Sequence, residues 1–359
     1  MARTRIALIG CGRILQKHLD GIAANEDRAE VVAVCDLVEA KASAAGETLG
    51  VPHYTDFHAM LEAVPCDLVS ILTDSGSHAP ITVAVLQEYS VDVLVEKPMA
   101  ITLEDADAMI QAAQQAGRRL FVVKQNRFNP PIMKTREAKD AGRFGKMVMG
   151  TVRLRWRRDQ GYYDQASWRG TWSEDGGALT NQTVHYIDLM SWLMDSPIET
   201  VFARTATRLV DIEAEDTAAV VLTFADGALG VIEATTATRP LNLEASVSLL
   251  GEGGTVVLGG FATNELVTWN FGDEPEDAPK PDLSYPVDNV YGYGHIALYA
   301  DVIEAQATGR RALIEGEDGR RVLALLHAIY HSAETGQPVQ FQPDGYYEAS
   351  PLGRTGQQE

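Results

Sequence analysis

The first third of the chain repeats one local pattern: a mainly apolar run, a turn, and then apolar residues at helical spacing. The apolar runs are residues 6–9, 31–35, 67–73, 91–95 and 120–124. Short runs of this kind are typical of strands that are buried on both faces of a parallel sheet. Since strands and helices alternate, the sequence predicts a doubly wound α/β domain over residues 1–125.

The first of these runs ends in the glycine turn Gly10-Cys11-Gly12, and a helical pattern follows to about residue 24. Glycines at this position let the backbone approach a pyrophosphate at the positive end of the helix. The third glycine of the dinucleotide fingerprint is absent, because Leu15 occupies its place. Asp36 ends the second run, where a carboxylate binds ribose hydroxyls and repels a 2′-phosphate. The pattern favours NAD over NADP, and a plain surface aspartate is the alternative reading of Asp36.

Polar residues follow three further strands, at the sheet edge where such folds bind ligands. The most informative segment is Glu96-Lys97-Pro98, which places an ammonium group on backbone that proline stiffens. A solvated ion pair in a loop is the alternative for this segment. The cofactor contacts predicted in this domain and at its boundary are Gly10, Gly12, Arg13, Ile14, Asp36, Thr73, His78, Glu96, Lys97 and Asn126.

After Gly142 the apolar residues recur with a period of two, which is typical of strands with one buried face. Arginines at 153, 155 and 157 alternate with apolar residues at 152, 154 and 156. Two hairpins follow, one of 217–224 with 229–235 and one of 245–250 with 255–258. The sequence predicts an α+β domain over residues 126–359, with an open, mostly antiparallel sheet and helices on one face.

Other segments complete this second domain. Residues 271–288 are acidic and proline-rich, and we interpret them as a long surface loop. Helices are predicted over residues 295–307 and 317–335. We interpret the last half-dozen residues as a disordered tail.

The stretch from Gly176 to Asp195 predicts a helix with an unusual polar stripe. At the α-helical period, that stripe carries Asn181, His185, Asp188 and Trp192. Apolar neighbours indicate that the stripe points inward, where unpaired polar groups are costly. An amide, an imidazole and a carboxylate together favour a catalytic site over a structural hydrogen-bond network.

Composition and charge restrict the partners. The formal net charge of −20 argues against nucleic acid or an anionic membrane as a partner. No segment is long enough to span a membrane, and the apolar run at 6–9 is too short for a signal sequence. Cys11, Cys35 and Cys66 are isolated, so we expect no metal site and predict reduced thiols in a cytoplasmic protein.

Four motifs in a fixed order give the chain a resemblance to a known family. They are ALIGCGRI at 7–14, VEKP at 95–98, RFNP at 127–130 and DGGALTNQTVHYIDL at 175–189. In this combination the chain resembles the Gfo/Idh/MocA family of sugar and cyclitol oxidoreductases over nearly its whole length. The resemblance implies an NAD(P)-binding Rossmann domain, followed by an α+β domain whose sheet commonly packs against another subunit.

The resemblance also implies roles for individual residues. Lys97 and His185 would face the nicotinamide, His185 as general base and Lys97 as a stabiliser of the developing alkoxide. Many family members have an aspartate where this chain has Asn181, which can orient the imidazole but not stabilise an imidazolium by charge. Asp188 would then orient or tune this pair. The predicted substrate contacts are Lys97, Arg127, Tyr163, Trp168, Asn181 and His185. Trp168 and Arg169 are also predicted to contact the cofactor. For Tyr163, Trp168 and Arg169, packing under a loop is the alternative interpretation.

Motifs of the second domain resemble one bacterial branch of the family. They include YYDQASWRGTW at 162–172 and VYGYGH at 290–295. That branch contains UDP-N-acetylglucosaminuronate 3-dehydrogenases and some scyllo-inositol dehydrogenases. We predict an NAD-dependent dehydrogenase that oxidises a secondary ring hydroxyl of such a nucleotide sugar. A free monosaccharide or cyclitol is the alternative substrate, and a non-catalytic NAD- and sugar-sensing regulator is the second alternative. The open sheet predicts a homodimer or homotetramer.

Overall fold

The computed structural model describes residues 3–275, 278–287 and 289–355, and the chain divides into two compact units. The first unit contains the chain up to Gln125 together with Tyr293–Leu323. The second contains Asn126–Gly292 and the chain from Ala324 onward. Of the predicted surface loop and tail, residues 276, 277, 288 and 356–359 lie outside the described residues.

Strands and helices alternate through the first unit, and strands dominate the second. The strands are β1 Thr4–Ile9, β2 Ala29–Cys35, β3 His53–Tyr54, β4 Leu68–Ile71, β5 Asp92–Val95, β6 Leu120–Val122, β7 Met147–Arg155, β8 Ile198–Ala206, β9 Thr217–Phe224, β10 Leu229–Thr235, β11 Glu244–Gly251, β12 Gly254–Gly259, β13 Glu265–Phe271 and β14 Val339–Gln340. The α-helices are α1 Leu15–Ala23, α2 Glu39–Leu49, α3 Phe57–Ala63, α4 His78–Ala84, α5 Leu103–Ala116, α6 Pro130–Asp140, α7 Gln160–Tyr163, α8 Val184–Met194, α9 Gly294–Thr308 and α10 Gly316–Thr335. Within the described residues, no helix is both long and apolar enough to cross a bilayer.

Six parallel strands form the sheet of the first unit, in the order β3-β2-β1-β4-β5-β6. The predicted apolar runs supply its core, since Ile6, Leu8 and Val93 have no exposed surface. Strands that are apolar on both faces require helices on both sides of the sheet. The doubly wound parallel sheet predicted from the sequence is therefore confirmed.

The segment Tyr293–Leu323 departs from the predicted second domain of residues 126–359, because it belongs to the first unit. Helix α9 packs on α1, where His295 and Tyr299 place their rings edge-on to His18. Residues that are distant in sequence make these contacts, and no local pattern indicates them.

Eight strands form the sheet of the second unit, in the order β13-β12-β11-β7-β10-β9-β8-β14. The pair β7 and β10 is parallel, and the other neighbouring pairs are antiparallel. The mostly antiparallel sheet is thus confirmed, with a parallel pair at its centre that was not predicted. Alternation could not predict that pair, because it specifies which face of a strand is buried and not the strand's direction.

Helix α8 lies against the central strand β7. A Cβ atom at Gly150 would lie 2.8 Å from the sulfur of Met194 and 3.1 Å from Met190, so glycine permits this close approach.

The exposed apolar residues of the sheet strands include Phe202, Val221 and Leu229.

The predicted helix from Gly176 to Asp195 consists of two parts. Ala178–Thr183 is a π-helical segment, and α8 continues it from Val184 to Met194. The α-helical period assumed for the polar stripe is therefore wrong for its first turn. That turn is tied to a neighbouring strand connection instead, because the amide of Leu179 donates to Oε1 of Glu215 at 2.8 Å.

Candidate active site

The glycine turn after β1 has space in front of it. Gly10 has a φ of +104°, and a Cβ there would lie 2.7 Å from the backbone of Leu72, so only glycine fits. Gly12 is different, because nothing lies within 4 Å of the Cβ position. Helix α1 begins at Leu15, after the N-cap residue Ile14, and no side chain caps it. Open space before an uncapped helix N-terminus fits a pyrophosphate.

Asp36 lies at the end of β2, beside this turn. Its carboxylate accepts hydrogen bonds from the amides of Cys11 and Val38, both at 2.8 Å. The side chain is half-buried, while Arg13 on the turn is exposed. These bonds hold a carboxylate next to the open turn, which is where a ribose diol of a dinucleotide is bound in such folds. The residues present therefore fit an NAD cofactor.

His78 follows β4 and was predicted to contact the cofactor. It is buried, with Nδ1 2.8 Å from the carbonyl of Pro98 and Nε2 3.2 Å from the carbonyl of Thr73. Burial lowers the pKa of His78. The imidazole thus braces the loop after β4 against the loop that carries Lys97. Its predicted cofactor contact stays a prediction. The hydroxyl of Thr73 accepts a hydrogen bond from Ser77 at 2.7 Å.

Glu96 was also predicted at the cofactor, but it faces a buried cluster. Its Oε1 lies 3.1 Å from Nε2 of His18 and 3.8 Å from Nε2 of His295. Its Oε2 accepts the amide of Lys97 at 2.9 Å. Burial opposes ionisation of Glu96, yet the hydrogen bond to His18 and the nearby imidazole of His295 hold its pKa well below the usual range. Glu96 therefore anchors the backbone of Lys97 from behind.

In the second unit, the polar stripe of α8 separates into an accessible and a buried part. His185 and Asn181 are half-buried, and Asp188 is buried. Asp188 accepts two hydrogen bonds from Arg127, from Nε at 2.8 Å and from Nη2 at 2.7 Å. The guanidinium carbon of Arg127 also lies 4.9 Å from the ring centroid of Trp192. Asp188 thus neutralises Arg127. The predicted tuning of the Lys97–His185 pair by Asp188 and the predicted substrate contact of Arg127 stay predictions.

Asn181 lies in the π-helical turn that precedes His185. Its amide donates to Oδ1 of Asp175, and its oxygen accepts from Gln182. Asp175 is itself buried and accepts the amide of Gly170 at 2.8 Å. These bonds fix the amide of Asn181, and its predicted role of orienting the imidazole stays a prediction.

The aromatic loop before this helix also has both buried and accessible side chains. Tyr163 is buried, and its hydroxyl lies 3.3 Å from the hydroxyl of Thr236. Burial raises the pKa of Tyr163 to about 12. Tyr163 therefore packs in the core, which favours the alternative of packing under a loop over a substrate wall. Trp168 and Arg169 are half-buried, with the guanidinium carbon 4.6 Å from the ring centroid of Trp168.

Sequence reasoning missed several polar residues around this helix. They are Tyr162, Asp175, Gln182 and Glu215. Arg158 differs from these, because it is one of the arginines at 153–158 that the sequence offers as partners for the phosphates of a nucleotide sugar. One signal was present for Arg158, because the period of two places it on the same face as the buried residues at 152, 154 and 156. A charged residue at an apolar position of a strand pattern is unusual and marks a candidate site.

Two family descriptions match the chain in sequence. Residues 4–124 match "Oxidoreductase family, NAD-binding Rossmann fold", and residues 132–257 match "GFO/IDH/MocA C-terminal domain". A D-apiose dehydrogenase of Paraburkholderia graminis is 30% identical over 352 residues, which cover 95% of this chain and 90% of the relative. The chain belongs to the Gfo/Idh/MocA family of oxidoreductases.

Other members of the Gfo/Idh/MocA family are also similar to this chain. A myo-inositol 2-dehydrogenase of Thermotoga maritima is 28% identical and covers 94% of this chain and 98% of its own length. The WlbA dehydrogenase from Bordetella pertussis, whose crystal structure was determined in complex with NADH and UDP-GlcNAcA, is 40% identical to this chain in sequence. It matches with a TM-score of 0.86 over 95% of this chain and 99% of its own. The predicted family, fold and enzyme class, an NAD-dependent dehydrogenase, are confirmed.

Proposed function

We propose that this family member oxidises a secondary ring hydroxyl of a UDP-linked N-acetylhexosaminuronate, such as UDP-GlcNAcA. The observation that carries this choice is the 40% identity to the Bordetella WlbA dehydrogenase over 95% of the chain. The D-apiose and myo-inositol dehydrogenases are less similar, at 30% and 28% over comparable lengths.

The proposed chemistry assigns proton transfer to His185 and charge stabilisation to Lys97. His185 takes the proton of the substrate hydroxyl, and the Lys97 ammonium hydrogen-bonds the same oxygen as negative charge develops on it. Bound NAD⁺ supplies the hydride acceptor. A half-buried imidazole on the helix held by Arg127 and Asp188 supports the role of His185, because general bases require a fixed orientation.

The residues proposed to hold NAD are those of the glycine turn and Asp36. Gly10 and Gly12 admit the pyrophosphate, and Asp36 binds the adenosine ribose. The Asp36 carboxylate would repel a 2′-phosphate, so we propose a preference for NAD over NADP. The resemblance adds Trp168 and Arg169 to this cofactor site.

The experiment that tests this function is a comparison of substrates with purified enzyme. NADH formation is measured with UDP-GlcNAcA, UDP-GlcNAc, D-apiose, myo-inositol and scyllo-inositol. We expect kcat/KM for UDP-GlcNAcA to exceed that for the neutral compounds, D-apiose and the two inositols, by at least about tenfold. This factor corresponds to a difference of about 1.4 kcal/mol. A higher kcat/KM with an inositol or apiose would establish the alternative substrate class, and binding of NAD and sugar without turnover would favour the regulator.

Assembly through the open sheet is a further part of the proposal. Phe202 on β8, Val221 on β9 and Leu229 on β10 leave between 36 % and 47 % of their surface exposed. Neighbouring exposed apolar residues on a sheet are typical of a subunit interface. We therefore propose a homodimer or homotetramer formed through residues 147–260. A cytoplasmic location is supported by the three cysteines, which are all free.

A further inference from the structure

Arg158 lies shortly after the end of β7, between aromatic side chains. Its guanidinium carbon lies 5.0 Å from the ring centroid of Trp156 and 5.1 Å from that of Tyr162. Nη2 donates to Oε1 of Gln182 at 2.9 Å, and Nη1 donates to the carbonyl of Arg157 at 2.7 Å. Because the side chain remains half-exposed, the aromatic rings and two hydrogen bonds fix a cation that a ligand can still reach.

A second arginine shares the same aromatic ring. The guanidinium carbon of Arg169 lies 4.4 Å from the ring centroid of Tyr162 and 4.6 Å from that of Trp168. Each guanidinium stacks on a π face, which stabilises the cation and limits its rotation. Tyr162 thus gathers two oriented positive charges around one ring.

These two charges have no acidic partner in the part of the chain that the structure describes. Arg158 and Arg169 form no ion pair there, and the Nε of each is buried without a hydrogen-bond acceptor. The preceding arginines of the strand are different, because Arg153, Arg155 and Arg157 pair with Glu244, Glu233 and Asp159 respectively. A chain with a formal charge of −20 has many carboxylates, so two uncompensated guanidinium groups around one ring fit an external oxyanion.

Hydrogen bonds connect this cluster to the turn that leads into α8. Gln182 accepts from Arg158, donates to the hydroxyl of Tyr162 at 3.2 Å, and donates to the oxygen of Asn181. Gln182 and Asn181 belong to the π-helical turn directly before His185. An anion bound at Arg158 would therefore be linked, through Gln182, to the segment that leads into the proposed base.

We propose that Arg158, with Arg169 on the shared ring of Tyr162, forms a subsite for an oxyanion of the substrate, a phosphate or a carboxylate. This proposal rests on the proposed function, in which the substrate is an anionic sugar. A planar guanidinium suits it because two parallel N–H donors match the oxygens of either group. Neutral cyclitols gain nothing at this subsite, so it selects against them.

Binding of two probes to the NAD⁺-loaded enzyme tests the subsite by calorimetry. UDP carries phosphates without a uronate, and D-glucuronate carries a carboxylate without a phosphate. We expect Arg158→Met to weaken binding of UDP, of D-glucuronate or of both by about 10- to 100-fold, as for one lost charge-assisted hydrogen bond. Whichever probe loses affinity identifies the oxyanion. Arg158→Lys keeps the charge and should lose less, and its behaviour remains informative if the methionine variant fails to fold.

Arg157→Met is the matched control, because it removes a neighbouring guanidinium that Asp159 already neutralises. It should leave the affinity for both probes unchanged. Unchanged probe affinity in both Arg158 variants would overturn the proposal, and so would wild-type enzyme that binds neither probe. An equal loss of NAD⁺ affinity would also overturn it, since the anion would then be the cofactor's pyrophosphate. Arg158-dependent UDP binding without turnover of UDP-GlcNAcA would refute the proposed function and support the subsite.

Discussion

Arg127 and Asp188 form a buried ion pair with two hydrogen bonds, Nε to Oδ2 at 2.8 Å and Nη2 to Oδ1 at 2.7 Å. At most 5 % of either residue is exposed. The pair joins helix α8 to the segment before α6, within the second unit. Asp188 therefore helps to position the helix that carries His185.

Removing one partner of this ion pair should cost far more stability than removing both. Asp188→Asn removes the carboxylate charge that accepts two hydrogen bonds from the buried Arg127 guanidinium, which costs about 3–5 kcal/mol. The double variant Arg127→Met with Asp188→Leu removes both charges and should recover most of that loss. Urea denaturation of the three proteins measures the free energy of unfolding. If Asp188→Asn unfolds at the wild-type urea concentration, the pair does not hold the helix.

The proposed base and its partner should behave as one catalytic unit. His185→Asn should lower kcat by about 10²–10⁴ while NAD⁺ affinity stays nearly unchanged. Lys97→Met should be comparably damaging, because both groups act on one substrate oxygen. The double variant should then cost much less than the product of the two single effects. Strictly multiplicative losses would show that the two residues act in separate steps.

Replacing Asn181 by the aspartate common in the family should be destabilising in this chain. The amide of Asn181 donates to Asp175, so Asn181→Asp places two carboxylates together and raises the pKa of one of them. A lost hydrogen bond with an unsatisfied buried acceptor costs about 1–3 kcal/mol. The exchange Asp175→Asn with Asn181→Asp restores one donor and one acceptor and should recover most of the stability. Thermal denaturation at neutral pH checks this, and a double variant no better than Asn181→Asp would contradict it.

Loss of the proton from the buried carboxyl group of Glu215 should make the second unit less stable as the pH rises. Burial raises the pKa of Glu215 from 4.5 to about 7, despite hydrogen bonds to its carboxylate from Leu179 and Tyr330. Since the folded pKa exceeds the unfolded one, the folded state binds the extra proton between these values. The stabilisation of the folded state by this proton is complete below about pH 4.5 and is lost as the pH rises through 7. It amounts to on the order of 3 kcal/mol in total.

Glu215→Gln imitates the protonated carboxyl and isolates this effect. Relative to wild type, the variant should gain stability between pH 5 and pH 8, as measured by urea denaturation at both values. A constant difference across that range would show that Glu215 does not titrate there.

The exposed face of the sheet should control assembly. Val221→Asp places a charge among exposed apolar side chains and should shift the protein to monomers in light scattering at micromolar concentration. Leu37→Ser is the control, because Leu37 is equally apolar and 91 % exposed but lies outside residues 147–260. A monomeric wild-type protein, or an unchanged mass for Val221→Asp, would contradict assembly through this face.

The elements of the fold follow closely from local patterns. The predicted hairpin strands 217–224 and 229–235 have the same bounds as β9 and β10. Two adjacent signals specify them, the period of two and the turn at Asp226-Gly227, and both act between residues near in sequence. The π-helical turn before His185 does not follow from local patterns, because Leu179 bonds to Glu215 across a long sequence separation.

The candidate site was predicted as a set of residue types but not as a set of contacts. His185 on α8 and Asn181 in the π-helical turn before it are half-buried polar groups, and their roles stay predictions. Glu96, His78 and Tyr163 were assigned to ligands, yet each faces the interior of its own unit. A sequence indicates that a polar residue follows a strand, but not the direction in which its side chain points.

The sequence by itself determined the two kinds of sheet, the glycine turn with Asp36, and the helix that carries His185, because backbone period and turn chemistry are local properties. Only the tertiary structure decided that Asp188 belongs to Arg127, that Glu96 belongs to His18, and that α9 belongs to the first unit. Charges and hydrogen-bonding groups that become buried must find partners wherever the chain brings them. Those partners lie 61 and 78 residues away in sequence for Asp188 and Glu96, beyond the reach of any local pattern.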